Sequence, residues 1–240
     1  MLIPNLRVVM GLALGVAFAG CGVISSDVTD FDLSLPDKSF TINIDGWQVD
    51  RDKADQYLMV SCASAPPTAC NSAVQAACTM NCSGSCNQTS HTCDLSLDVS
   101  LAQAVNLVMD KPELKSINDQ PAIKVTIDSV TYEVKTNSLT VATPEITIYV
   151  APISVTSVKA NDASITAIGT IDPVAAGATT TSPQPIKFTA RGKAALVNIM
   201  SSFKTPFNVL VGSSIVVTTG QPIPTGKLDA VVHIKGHAGL

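Results

Sequence analysis

Charge is scarce in this 240-residue chain, where Asp, Glu, Lys and Arg together make up 14%, against roughly 25% in an average soluble protein. Aromatic residues are only 4%, with one Trp. With so few rings and a net charge of −4, the chain is neither a phosphate-neutralising surface nor a base-stacking one. No nucleic-acid partner is expected. Three His and three Glu leave little material for acid–base chemistry. The sequence also lacks a G-x-S-x-G elbow, a G-x-G-x-x-G fingerprint and a P-loop. Asp50, Asp52 and Asp55 lack the Gly and closing Glu of a calcium loop and read as a solvated turn. Catalysis, cofactors and a resident metal are therefore not expected. Apolar residues at 46% are ordinary, so the shortage of charge does not imply disorder.

The N-terminus carries an address. Arg7 is followed by the uncharged run Val8–Ala19 and then by small residues, the three-part layout of a secretory signal. The run is shorter than the roughly 20 residues of a membrane span. Phe18-Ala19-Gly20-Cys21 resembles the lipobox of bacterial lipoprotein precursors, departing from it at Phe18, where Leu is usual. That resemblance implies cleavage before Cys21, lipid on its sulfur and amine, and a membrane partner reached through the lipid. Gly22 after the Cys implies the outer membrane. Ala17-Phe18-Ala19 also reads as an ordinary cleavage site, which would release a soluble secreted protein. No apolar run long enough for a second anchor follows residue 21.

Cysteine parity favours lipidation. Of seven Cys, setting Cys21 aside leaves Cys62, Cys70, Cys78, Cys82, Cys86 and Cys93, an even set. These six occupy residues 62–93 among Ala, Ser, Thr, Asn, Gln and Pro, which build no hydrophobic core. Such a segment holds a shape only when cross-linked, so three disulfides are expected after export, with pairing undetermined. The competing reading is metal. Cys78, Cys82 and Cys86 at four-residue intervals would line one helix face, with His91 and Cys93 close behind.

Period-two alternation dominates the remainder. Phe31, Leu33 and Leu35 share one face, as do Phe40, Ile42 and Ile44, with Pro36-Asp37-Lys38 read as a turn between them. Leu95, Leu97, Val99 and Leu101 alternate with polar residues, and Tyr57–Val60 is read as a strand too. Val, Ile and Thr fill 19 of the 36 positions from Ile123 to Val158, a strand composition. Within it, Ile123, Val125 and Ile127 share a face and Val130, Tyr132 and Val134 share another, so a bulge is expected at Asp128-Ser129. Ile146, Ile148 and Val150 form a further strand between Pro144 and Pro152. Leu196, Ile199, Met200 and Phe203 predict one helix over about Gly192–Phe203, closing the core. A second, shorter helix is expected within Ala102–Ser116. His233 and His237 fall on a strand, where four-residue spacing does not pair them on a metal.

The order Ile168–Pro173, Ala176–Thr180, Ile186–Phe188, a helix, Phe207–Val209 and Pro222–Leu228 resembles late-embryogenesis-abundant-type domains. That resemblance covers the last third of the chain and implies an immunoglobulin-like β-sandwich without catalytic residues. The expected organisation is a signal peptide at 1–20, a lipidated Cys and tether at 21–30, and a single domain at 31–240. That domain is expected to be a mainly β antiparallel sandwich with one or two short helices and a disulfide-rich insertion at 62–93. The expected function is a lipid-anchored structural or interaction module of the bacterial cell envelope, meeting an envelope protein partner. The alternatives are a periplasmic carrier with an apolar ligand, such as lipid, between its sheets, an envelope hydrolase, or a soluble secreted protein.

Overall fold

The computed structural model describes residues 31–66, 68–117, 124–159 and 161–239. The expected signal, Cys21 and tether lie outside them, as does Ile123. Two antiparallel sheets pack on one shared apolar core. In the first, β11 (Lys227–Gly239) pairs along one side with β5 (Lys124–Asn137), whose other edge carries the short β8 (Gln184–Pro185). Along its other side run β1 (Phe31–Asp32) and β2 (Lys38–Asn43). The second sheet has the order β3 (Cys82–Cys86), β4 (Cys93–Val105), β10 (Phe207–Val217), β6 (Ile146–Pro152), β7 (Thr166–Ile171), β9 (Lys187–Phe188). At one corner Gln103 Nε2 donates to Ser39 O at 2.9 Å and Lys38 Nζ to Ala104 O at 3.1 Å, tying β2 to β4. The expected mainly β sandwich is the observed fold.

The alternating residues point where their chemistry requires. Leu95, Leu97 and Val99 of β4 and Ile146, Ile148 and Val150 of β6 are buried, with less buried Ser, Asp, Thr or Tyr between them. The expected bulge is present: Lys235 pairs with Ser129 and Gly236 with Ile127, leaving Asp128 as the extra residue. Val125 and Ile127 before it and Val130 and Val134 after it therefore all reach the core. A second irregularity, with Asp229 opposite Thr136 and Ala230 opposite Val134, leaves Lys135 unmatched and exposed.

Three local expectations are corrected. Pro36-Asp37-Lys38 does not turn the chain back. Leu33 and Leu35 donate to the Gly236 and Ile234 carbonyls at 2.8 Å, and β2 continues along the same edge of β11. Pro36 has no N–H to give the ladder, so the run breaks there without reversing. Tyr57–Val60 is not a strand but lies at the end of α1 (Arg51–Leu58). Asp50 caps that helix by accepting from Lys53 N, so Asp50, Asp52 and Asp55 belong to a helix and its cap rather than to a turn. Ala54, Tyr57 and Leu58 form its buried stripe at i, i+3 and i+4. The second, shorter helix expected within Ala102–Ser116 is α3 (Leu107–Asp110), which begins after β4 ends at Val105 and is followed by the 3-10 turn Pro112–Ile117.

The helix closing the core is α4 (Ala190–Ser201), two residues earlier than expected because Thr189 Oγ1 accepts from Gly192 N at 2.8 Å. Leu196, Met200 and Phe203 are essentially inaccessible. The helix approaches β7 so closely that a Cβ on Gly192 would overlap the Ile168 carbonyl. Among the described residues no helix is long and apolar enough to cross a membrane.

Candidate functional site

The six cysteines form a knob on the edge of the second sheet. It contains α2 (Ala69–Ala73), the 3-10 turn Val74–Ala76 and the edge strand β3. Cys62 bonds Cys86, Cys70 bonds Cys93, and Cys78 bonds Cys82. All three expected disulfides are present. The Cys70–Cys93 bridge ties α2 to the first residue of β4, so the knob is stapled to the sandwich itself. Cys62–Cys86 ties its entry to β3, while Cys78–Cys82 closes a tight loop. The helix imagined for a metal does not form, since Cys82 and Cys86 lie on a strand and His91 on an exposed loop. The sulfurs of Cys62, Cys70 and Cys93 lie within 4.8 Å of one another because two disulfides sit side by side, each sulfur already bonded.

Polar contacts complete the brace. Tyr57 OH donates to Asp94 O at 3.0 Å under the knob. Burial, and after it the Asp94 charge, pushes this phenol up to about 12. Gly84 allows β3 to pass over it, because a Cβ there would overlap the Tyr57 hydroxyl and the Cys70 carbonyl. Asn87 Nδ2 donates to both Asp94 carboxylate oxygens, at 3.3 and 3.1 Å, while its Oδ1 accepts from Thr89 N and Ser90 N. The loop tip is thereby closed on itself. Thr219 Oγ1 donates to Leu58 O and meets Thr92 Oγ1 at 2.7 Å, so the β10–β11 connection buttresses the knob from the side.

The exposed surface of this region is polar but uncharged. Residues 62–93 contain no Asp, Glu, Lys or Arg. Ala63, Ala65, Ser85, Gln88 and His91 line a recess of about 440 Å³ beside the Cys62–Cys86 bridge, and Met80 is half exposed nearby in sequence. Such a surface offers amide and hydroxyl groups on a rigid frame.

His233 lies on the outer face of β11, where its Nδ1 is 2.6 Å from Asp37. Its Nε2 is buried 3.9 Å from a Glu133 oxygen that Lys135 also contacts. His237 meets Asp128 at 3.0 Å. The two His are separated by four residues of extended chain, about 13 Å, and do not form a joint site. Between the sheets, Phe40, Tyr132, Ile146, Ile171, Val211 and Val232 help enclose an apolar cavity of about 30 Å³, roughly the room for one water and far below the ~300 Å³ at which ligand pockets begin.

Sequence reasoning missed α1, although Asp50 followed by Ala54, Tyr57 and Leu58 carries a cap and a helical stripe. It also missed Tyr57 and Asp94 as the floor of the knob, which no spacing announces. No family model, curated protein or solved structure matches this chain.

Proposed function

We propose that this chain is an exported lipoprotein, anchored through Cys21 to the bacterial outer membrane, and that its folded part is a non-catalytic interaction module of the cell envelope. The observation that carries this reading is the knob, three disulfides bracing a segment without a single charged side chain. Cross-links at this density persist where the compartment is oxidising, which supports export. A braced surface has little conformational entropy left to lose when a partner docks, which supports recognition. The immunoglobulin-like topology implied by the late-embryogenesis-abundant-type resemblance belongs to the same proposal, supported by two antiparallel sheets on one core.

Intact mass of the protein taken from its own membrane tests the anchor. The expected species begins at Cys21, carries acyl chains there, and gains two hydrogens per bridge on reduction. A product beginning at Gly20 with a free first thiol overturns it. The knob is tested by surface substitution, because Cys70, Val74 and Cys93 are core residues and removing 62–93 would open the sandwich. Met80→Asp with Gln88→Arg should abolish capture of an envelope protein while leaving the thermal transition unchanged. Undiminished capture overturns the assignment.

A further inference from the structure

The second sheet contains a gap where two paired strands part. β10 and β6 are in register from Phe207↔Pro152 to Gly212↔Thr147. Continued by the same step, that ladder would set Ile215 opposite Pro144, Val216 opposite Thr143 and Val217 opposite Ala142. It does not continue. Thr143 turns to Val174 instead, donating its N–H to the Val174 carbonyl at 2.8 Å and accepting from Val174 N at its Oγ1 at 2.9 Å. Pro144 at the point of divergence has no N–H with which to hold β10. Ser214–Val217 therefore has β4 on one side and, among the described residues, no strand on the other, while Ser213 Oγ still donates to Glu145 O at 3.1 Å.

The space between the parted segments is a groove of about 440 Å³ lined by Val141–Pro144 on one wall and Ser214–Val217 on the other. Gln221 and Pro222 of the β10–β11 connection also line it. Its lining is free of charge, and Val216 is half exposed there. An unpaired edge of this kind is a template for another strand. At the Gly212–Ser214 end a second recess adjoins it, sharing Ser214 and lined by Asp98, Glu145 and Tyr149, with no Lys or Arg among its lining residues.

We infer that this groove takes an extended segment of a partner protein, added antiparallel to β10 in the place that β6 vacates. β-branched side chains of the segment would lie along the apolar walls, and a Lys or Arg at its C-terminal end would meet Asp98 and Glu145. The direction follows from the sheet: a strand antiparallel to β10 in this position runs from Val217 towards Ser213, delivering its C-terminus to the acidic recess. The charge complementarity selects a basic peptide end over an acidic one. This deepens the interaction-module reading and rests on it for the existence of a protein partner, but it assigns a surface separate from the knob.

The test uses the full exported chain and a fluorescent probe peptide, acetyl-Thr-Val-Thr-Val-Thr-Lys amide. Saturable binding is expected, with new exchange protection of amides within Ser214–Val217. N-methylation at alternate peptide nitrogens removes backbone donors without touching the protein and should weaken binding about tenfold or more. Asp98→Asn with Glu145→Gln should abolish the preference for the Lys peptide over its Glu counterpart while retaining binding of a Gln version. Equal binding of the N-methylated probe, or protection elsewhere in the chain, overturns the inference. Neither result bears on the acyl anchor or on capture by the knob, so failure here is distinguishable from failure of the wider reading.

Discussion

The sandwich and the knob share a chain and a wall but are held by different physics. Between the sheets, Leu, Ile, Val and Phe side chains are nearly all inaccessible and need no covalent help. In residues 62–93 the only bulky aliphatic side chains are Val74 and Met80, and only Val74 is buried. There the cysteines do the work of a core: Cys62, Cys70, Cys78 and Cys93 are buried, and each sulfur replaces packing with a bond. The difference teaches that a segment too poor in apolar surface to fold alone can still present a fixed shape, provided its cross-links reach the neighbouring core.

The largest effect that sharpens this contrast is expected in the sandwich. Phe203→Ala removes an inaccessible ring beneath α4 and should cost about 3–5 kcal/mol, read as a shifted denaturant midpoint for the whole domain. Next is the staple between the two regions. Cys70→Ala with Cys93→Ala opens a bridge spanning 23 residues and should cost roughly 2–4 kcal/mol. Limited proteolysis should then cut first within 62–93 while β5 and β11 stay protected. Simultaneous cutting in both regions would break the comparison. A smaller loss, about 1 kcal/mol, is expected for Tyr57→Phe, which deletes the hydroxyl bonded to Asp94 O. In the parent protein the Tyr57 phenol ionises at about 12 against an ordinary value of 10.0. Its contribution is fully present below pH 10 and lost as pH rises towards 12, so an ultraviolet titration of this variant should lose the tyrosine that ionises near 12.

The smallest effect concerns the sandwich edge. Hydrogen bonds from Ser34, and after them the Lys111 ammonium, hold the Asp32 carboxyl at about 2. A depressed carboxyl adds stability above its unfolded value of 3.8 that fades as pH falls towards 2. Asp32 is largely exposed, so screening keeps the term small. Asp32→Asn should flatten the acid limb of the stability curve slightly and leave neutral pH nearly unchanged.

Legibility followed the strength of the periodic signal. The strands β4, β5 and β6, the bulge at Asp128 and the stripe of α4 could be read directly, because alternation and helical spacing are local consequences of backbone geometry. The Pro36 break misled because proline marks a missing donor in either a turn or an edge strand, and only the neighbouring β11 decides which. Likewise Tyr57 looked strand-like beside Leu58 and Val60 until the Asp50 cap and the core under α1 set a helical period. For the knob, the cysteine count announced three bridges but not which sulfurs meet.

By itself the sequence determined the mainly β class, the cluster of six thiols and the dearth of charged groups, since each depends on composition or on neighbours along the chain. Only the tertiary structure decided the pairing of those thiols, the seat of Tyr57 under Gly84, and the parting of β6 from β10 at Pro144. Those features join residues distant in sequence, and contacts across such distances are selected by how whole sheets pack, which no local pattern encodes.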